Sequence, residues 1–299
     1  ILFLVSSSAI AVETARDFIQ INGDNISVKV WFPDQKASEP RSYLFIHGSP
    51  GSIEDWGDIP EQVAKAGHLA VAYDRPGHGK SSNLFHVATL KNNASVAHAI
   101  ISQFQMQNVV VVGHSYGATM ALQMARDISE DSFARSHIRK FVAIGGFIND
   151  YTGDNFLFNI GNWRYGRQIL ASSFMVNQLQ SALSTTIDSW FVNAEMAEDF
   201  KQTRLKKWTS NAVQMQTMFQ ELDQFNADIE KVDPYTLQPS VPIQLIMGNA
   251  DNADAAAQNV EFRIHMQQQG YDVTSHFIPN AGHFVQLEAP AELMHFLLQ

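Results

Sequence analysis

Val109-Val110-Val111-Val112-Gly113-His114-Ser115-Tyr116-Gly117 runs four consecutive β-branched residues into a turn with a serine between two glycines. A continuous apolar run of this kind reads as a strand buried on both faces, and the amphipathic stretch that follows, Tyr116 to Ile128, reads as a helix. A strand that turns into a helix within so few residues forces the serine into strained backbone. Side chains at the flanking positions would strike neighbouring backbone, so glycine is needed there. The strain lifts Ser115 Oγ above the carboxyl edge of the sheet and makes it a candidate nucleophile.

Other strands extend outward from this unit. Tyr43 to His47, Leu69 to Tyr73, Phe141 to Ile144, Ile243 to Met247 and Val273 to Ile278 are short, mostly apolar runs, and Ala253 to Gln269 is a further amphipathic segment. Phe18 to Phe32 alternates about Gly23-Asp24-Asn25 and predicts a hairpin. Strands alternating with helices give an α/β fold with a mostly parallel sheet covered on both faces. The alternation stops over residues 150–235, where Trp163, Trp190, Trp208, Met215, Met218, Phe219 and other large apolar residues recur at helical spacing. That stretch predicts a helical cap inserted into a core made of residues 12–149 and 236–299. Residues 1–11 place an apolar start before Ala9-Ile10-Ala11, the small-x-small pattern of a truncated export signal. A signal predicts a periplasmic or secreted protein; without one the expectation is cytoplasmic.

The 299 residues carry 20 Lys+Arg against 30 Asp+Glu, a net charge of −10, which disfavours nucleic acid and anionic membrane surfaces as partners. Cysteine is absent, which excludes disulfides, thiolate catalysis and zinc-thiolate sites. No run is long and apolar enough for a membrane span. Gly79-Lys80-Ser81 superficially ends like a phosphate-binding loop, but Asp74 occupies the required upstream glycine and Pro76 removes an N–H donor. No histidine spacing suggests a metal, so none is expected; the expected partner is a small-molecule substrate, and the oligomeric state is open.

A serine hydroxyl needs a base, and the base an orienting acid. His283, in Asn280-Ala281-Gly282-His283-Phe284, follows the last strand and lies at the same sheet edge as Ser115. Asp251, in Gly248-Asn249-Ala250-Asp251, follows the preceding strand; Asp254 and Asp150 compete for its role. The oxyanion of acyl transfer needs two fixed donors. The backbone N–H of Tyr116 supplies one. In His47-Gly48-Ser49-Pro50-Gly51, Pro50 has no N–H, which leaves Ser49 as the expected second donor and Gly48 as its substitute. His47 is read as a structural residue bonding its own loop.

Together with Asp74-Arg75-Pro76-Gly77-His78-Gly79-Lys80-Ser81, these motifs resemble the α/β-hydrolase fold superfamily, specifically its capped members with a serine nucleophile, over residues 18–299. The resemblance implies an eight-stranded sheet, a helical cap after the sixth strand, and cofactor-free hydrolysis of an ester or related acyl bond. Haloalkane dehalogenases and epoxide hydrolases of this superfamily carry Asp at the elbow, and Ser115 departs from that. Three rival readings accompany the esterase. The His-Gly-x-Pro-Gly loop also resembles proline iminopeptidases, for which Glu195, Glu198 and Asp199 would hold a free amino terminus. Carbon–carbon bond hydrolases would use Arg164, Arg167 or Arg204 to clamp a carboxylate. A non-catalytic ligand-binding protein would keep the fold alone.

Overall fold

The computed structural model describes residues 12–84, 87–127, 136–146, 148, 165–232, 237 and 241–299. The leader-like residues 1–11, the rival acid Asp150, Arg164, and the aromatics Phe156, Phe158 and Trp163 lie outside them.

Eight strands form one sheet in the order β1-β2-β4-β3-β5-β6-β7-β8. They are β1 (Glu13–Ile21), β2 (Asp24–Phe32), β3 (Ser42–Ile46), β4 (Leu69–Tyr73), β5 (Val109–His114), β6 (Ile138–Ile144), β7 (Ile243–Gly248) and β8 (Val273–Ile278). β2 runs antiparallel to β1 and β4, and every pairing from β4 across to β8 is parallel. The hairpin tip is Asn22-Gly23, with φ of 53° and 88°, one residue before the expected turn. A two-residue hairpin turn needs positive φ at both central positions, which Asn-Gly accepts, so Asp24 and Asn25 are free to start β2.

Helices cover both faces of the sheet. The helices of the core are α1 (Ile59–Lys65), α2 (Leu90–Gln103), α3 (Tyr116–Asp127), α9 (Ala253–Gln268), α10 (Val285–Glu288) and α11 (Pro290–Leu298). One apolar layer packs Leu44, Val71, Val109 and Val111 against α2 and α3; the other packs Phe45, Val110, Val112 and Ile246 against Trp56, α1 and α11. The alternate valines of β5 thus face opposite layers. All four are at most 1% exposed, which is why the run is unbroken. Burying each stabilises the fold by about 1.5–3 kcal/mol relative to exposure.

Between β6 and β7 the described chain is helical: α4 (Gly166–Leu170), α5 (Ser173–Trp190), α6 (Ala194–Phe200), a π-turn at Lys201–Leu205, α7 (Lys206–Ser210) and α8 (Ala212–Val232). These helices share a third apolar cluster that includes Leu179, Phe200, Trp208, Met215 and Phe219, together with Phe284 from the loop after β8. No described helix is long and apolar enough to cross a membrane.

Candidate active site

β3 lies between β4 and β5, so the connections leaving β3 and β4 diverge there and open a crevice beyond the carboxyl ends of β3 and β5. The loop His47-Gly48-Ser49 enters that crevice from β3, and Ser115 from β5. Ser115 has φ of +55°, and its N–H donates to Ile144 O at 2.8 Å. A Cβ on Gly113 would collide with Gly117 O, and one on Gly117 with Ile46 O. The elbow can therefore be this tight only with glycine at both positions. Gly48 faces Ser115 so closely that a Cβ on it would come within 2.9 Å of Ser115 Cβ.

His283 Nδ1 lies 3.0 and 3.1 Å from the two carboxylate oxygens of Asp251. The carboxylate can only accept, so Nδ1 carries a proton; in the neutral imidazole the lone pair is then on Nε2. Burial pushes the Asp251 carboxyl up, but the electrostatic attraction and hydrogen bond of the His283 Nδ1–H and the N–H of Asn252 outweigh it and hold it below the usual range. Asp254 is exposed in the first turn of α9, where its N–H bonds to the N-cap side chain of Asn252. Of the two described rivals, then, it is Asp251 that meets His283.

Ser115, Asp251 and His283 line one cavity of about 570 Å³ with Ser49, Pro50 and Tyr116. No hydrogen bond joins Ser115 Oγ to His283 among the described residues; such contacts commonly tighten only in the substrate complex. Tyr116 opens α3, where first-turn N–H groups have no intrahelical acceptor. The opposite wall comes from Leu179, Ala182, Leu183, Thr186 and Trp190 on one stripe of α5 and from Met218, Phe219, Leu222 and Phe225 on α8. Apart from Asp251 and His283, that lining carries no charged residue. Glu195, Glu198 and Asp199 are exposed on α6 and do not line it. Arg167 bonds to Gln216, and Arg204 pairs with Asp55 at 3.3 Å.

His47 donates from Nδ1 to Gly48 O at 2.8 Å and accepts at Nε2 from the N–H of Arg75, which ties its own loop together. His114, inside the elbow, donates from Nε2 to the carbonyl of His283 at 2.9 Å. Burial, with His283 nearby, pushes His114 down to about 3. A histidine whose native pKa lies that far below its unfolded value near 6.5 gains its proton only on unfolding. Its contribution to stability is therefore lost as pH falls through that interval, by about 1.4 kcal/mol per pH unit. Urea unfolding of His114→Asn should accordingly show a shallower loss of stability between about pH 6 and pH 4 than the wild type. Equal slopes would contradict a neutral buried His114.

Several residues around the site escaped the sequence reading. Trp190 O accepts from His283 N–H at 2.7 Å, and the Trp190 ring lies 5.8 Å from the imidazole. Glu288 accepts from Gly282 N–H on one oxygen and from the Val192 and Asn193 N–H groups on the other, joining the helical segment to the histidine loop. Backbone acceptors leave no mark in a sequence. Glu221 did leave one, as an acid three residues after Met218 and four before Phe225 on the apolar stripe of α8.

The alpha/beta hydrolase family profile matches residues 43–295, which includes the elbow and the loops of Asp251 and His283. The chain belongs to the alpha/beta hydrolase family. Among curated relatives of this family member, the non-heme haloperoxidase of Rhodococcus erythropolis is 31% identical over 124 residues, 42% of this chain and 41% of that protein. The bifunctional esterase/perhydrolase of Acinetobacter calcoaceticus is 31% identical over 90 residues, 30% of this chain and 33% of that protein. These matches thus span well under half of the relatives' length. Solved structures resemble it over nearly the whole chain. Epoxide hydrolase CorEH has a TM-score of 0.69 at 18% identity, covering 96% of this chain and 98% of that one. Bromoperoxidase from Bacillus anthracis has 0.67 at 21%, covering 95% and 98%. At these identities the likeness is one of fold.

Proposed function

We propose that this hydrolase is a serine esterase that cleaves a carboxylic ester, or a related acyl bond, of a small to medium apolar substrate. The observation that carries the reading is the meeting of the elbow serine and the Asp251–His283 pair in one cavity whose facing wall is built mainly of apolar side chains from α5 and α8. His283 Nε2 takes the Ser115 proton as Oγ attacks the substrate carbonyl, and the Ser49 and Tyr116 N–H groups hold the resulting oxyanion. Collapse of the tetrahedral intermediate returns that proton to the leaving alcohol. Water, deprotonated by the same imidazole, then releases the acid and restores Ser115. No cofactor enters these steps. The esterase/perhydrolase among the relatives supports acyl chemistry on this fold.

The helical segment between β6 and β7 acts in this reading as a cap that supplies the acyl-binding wall. Substrate preference then follows from cap volume. Leu183→Trp should lower kcat/KM for p-nitrophenyl octanoate at least about tenfold while leaving the acetate within about threefold, because added bulk excludes the long chain only. Equal losses on both esters would remove α5 from the acyl site.

A panel of p-nitrophenyl esters set against amino-acid arylamides tests the class. Ester cleavage is the expected outcome. Preferential cleavage of proline arylamide would favour the iminopeptidase, although its candidate acids Glu195, Glu198 and Asp199 lie away from the cavity. Ligand binding without turnover would favour the non-catalytic reading.

A further inference from the structure

Beneath the cavity lies a buried ion pair that the mechanism above does not use. Glu221, from α8, and Arg75, from the loop after β4, have side chains with 0% exposure and pair directly. The Glu221 carboxylate also accepts from Arg75 Nη2 at 3.1 Å, Asn93 Nδ2 at 3.2 Å and Ser49 Oγ at 2.6 Å. Arg75 reaches the same loop from the other side, donating from Nε to His47 O at 3.2 Å and from Nη2 to Gly48 O at 2.8 Å. Its guanidinium lies 4.5 Å over the Tyr116 ring, and Asn93 Nδ2 donates to the Tyr116 hydroxyl at 3.3 Å. Three successive residues of the β3 loop and the residue after Ser115 are thus tied to one pair of charges.

A buried ion pair is a poor source of net stability, because desolvating two charges costs about as much as their attraction returns. What such a pair does supply, once every lone pair and proton is matched, is fixed geometry. We propose that Glu221 and Arg75 are positioning residues for the oxyanion hole, with Glu221 carrying the hold across from the cap. The inference rests on the esterase reading, in which Ser49 and Tyr116 are the donors. Oxyanion donors act only when their N–H groups are aimed before charge develops, and a shift of about 1 Å costs as much as 10²-fold in rate. Since α8 also supplies Met218, Phe219 and Leu222 to the acyl wall, seating of the cap and shaping of the hole become one event.

The loop end of this network can be cut without exposing a charge. Ser49→Ala removes only the hydroxyl bound to Glu221 and should lower kcat about tenfold with KM within about twofold; Ser49→Thr, which keeps the hydroxyl, should restore most of it. Glu221→Gln should cost about 10² in kcat. Affinity for a trifluoromethyl ketone, whose adduct places an oxyanion in the hole, should fall in proportion to kcat for each variant. A purely structural role would lower the melting temperature and leave kcat per folded molecule and ketone affinity alone, which would overturn the inference. Amide hydrogen exchange gives a readout free of turnover: exchange over residues 47–51 should accelerate in both Ser49→Ala and Glu221→Gln, and unchanged exchange overturns the inference whether or not esters are cleaved. A wild type inert towards every ester but showing accelerated exchange in the variants would reject the esterase and keep the positioning role.

Discussion

Ser115→Ala lowers ester turnover by about 10⁶-fold if Ser115 is the nucleophile, leaving only what binding and the oxyanion donors achieve without a covalent step. The substitution suits the test because alanine tolerates the elbow as well as serine does. The strain at φ of +55° is carried by the backbone, and the N–H bond to Ile144 O does not involve the hydroxyl. Substrate should still enter a cavity whose apolar wall is unchanged, so the loss should fall on kcat and leave KM nearly alone. Labelling by a fluorophosphonate probe should vanish with the hydroxyl. Undiminished turnover in this variant would remove Ser115 from the reaction.

Asp251→Asn should cost about 10⁴ in kcat. The asparagine retains the size of the acid, but its amide can donate to Nδ1 and hold the imidazole in the tautomer that places the proton on Nε2. That tautomer cannot accept the Ser115 proton. The native carboxylate remains ionised because the attraction and hydrogen bond of the His283 Nδ1–H and the Asn252 N–H overcome the effect of its burial. Asp254→Asn, by contrast, touches an exposed helix-end charge that does not meet His283, and should change stability by no more than about 0.5 kcal/mol and leave the rate near that of the wild type. A collapse in Asp254→Asn or Asp150→Asn, with near-normal turnover in Asp251→Asn, would move the acid's role.

The core of the fold is legible because its strands are buried on both faces. Val109 to Val112 can afford no polar residue, and the glycines at 113 and 117 stand where any side chain meets backbone. Strand ends were less legible, since β6 begins at Ile138, before its continuous apolar run, and β5 continues through Gly113 and His114. At the start of β6, Arg139 is exposed and Lys140 only half-buried, so no apolar run marks it, while Gly113 and His114 are buried by their surroundings and not by their own polarity. Asp251 and His283 are legible through chain order and the strands that precede them. The surroundings that hold them depend on contacts between residues far apart in sequence. His114 clamps a carbonyl 169 positions away, and Ser49 meets Glu221 across 172. Glu221 shows as an acid on an apolar stripe, which announces a buried partner but does not say which one.

The measurement that bears most directly on the esterase reading is rapid acid quenching of the enzyme during turnover of a p-nitrophenyl ester, followed by mass spectrometry of its peptides. Turnover should trap the acyl group on the peptide carrying Ser115, in Asp251→Asn as well as in the wild type, with no such adduct in Ser115→Ala. Ester turnover with the acyl group trapped on another residue, or continuing in Ser115→Ala, would contradict it.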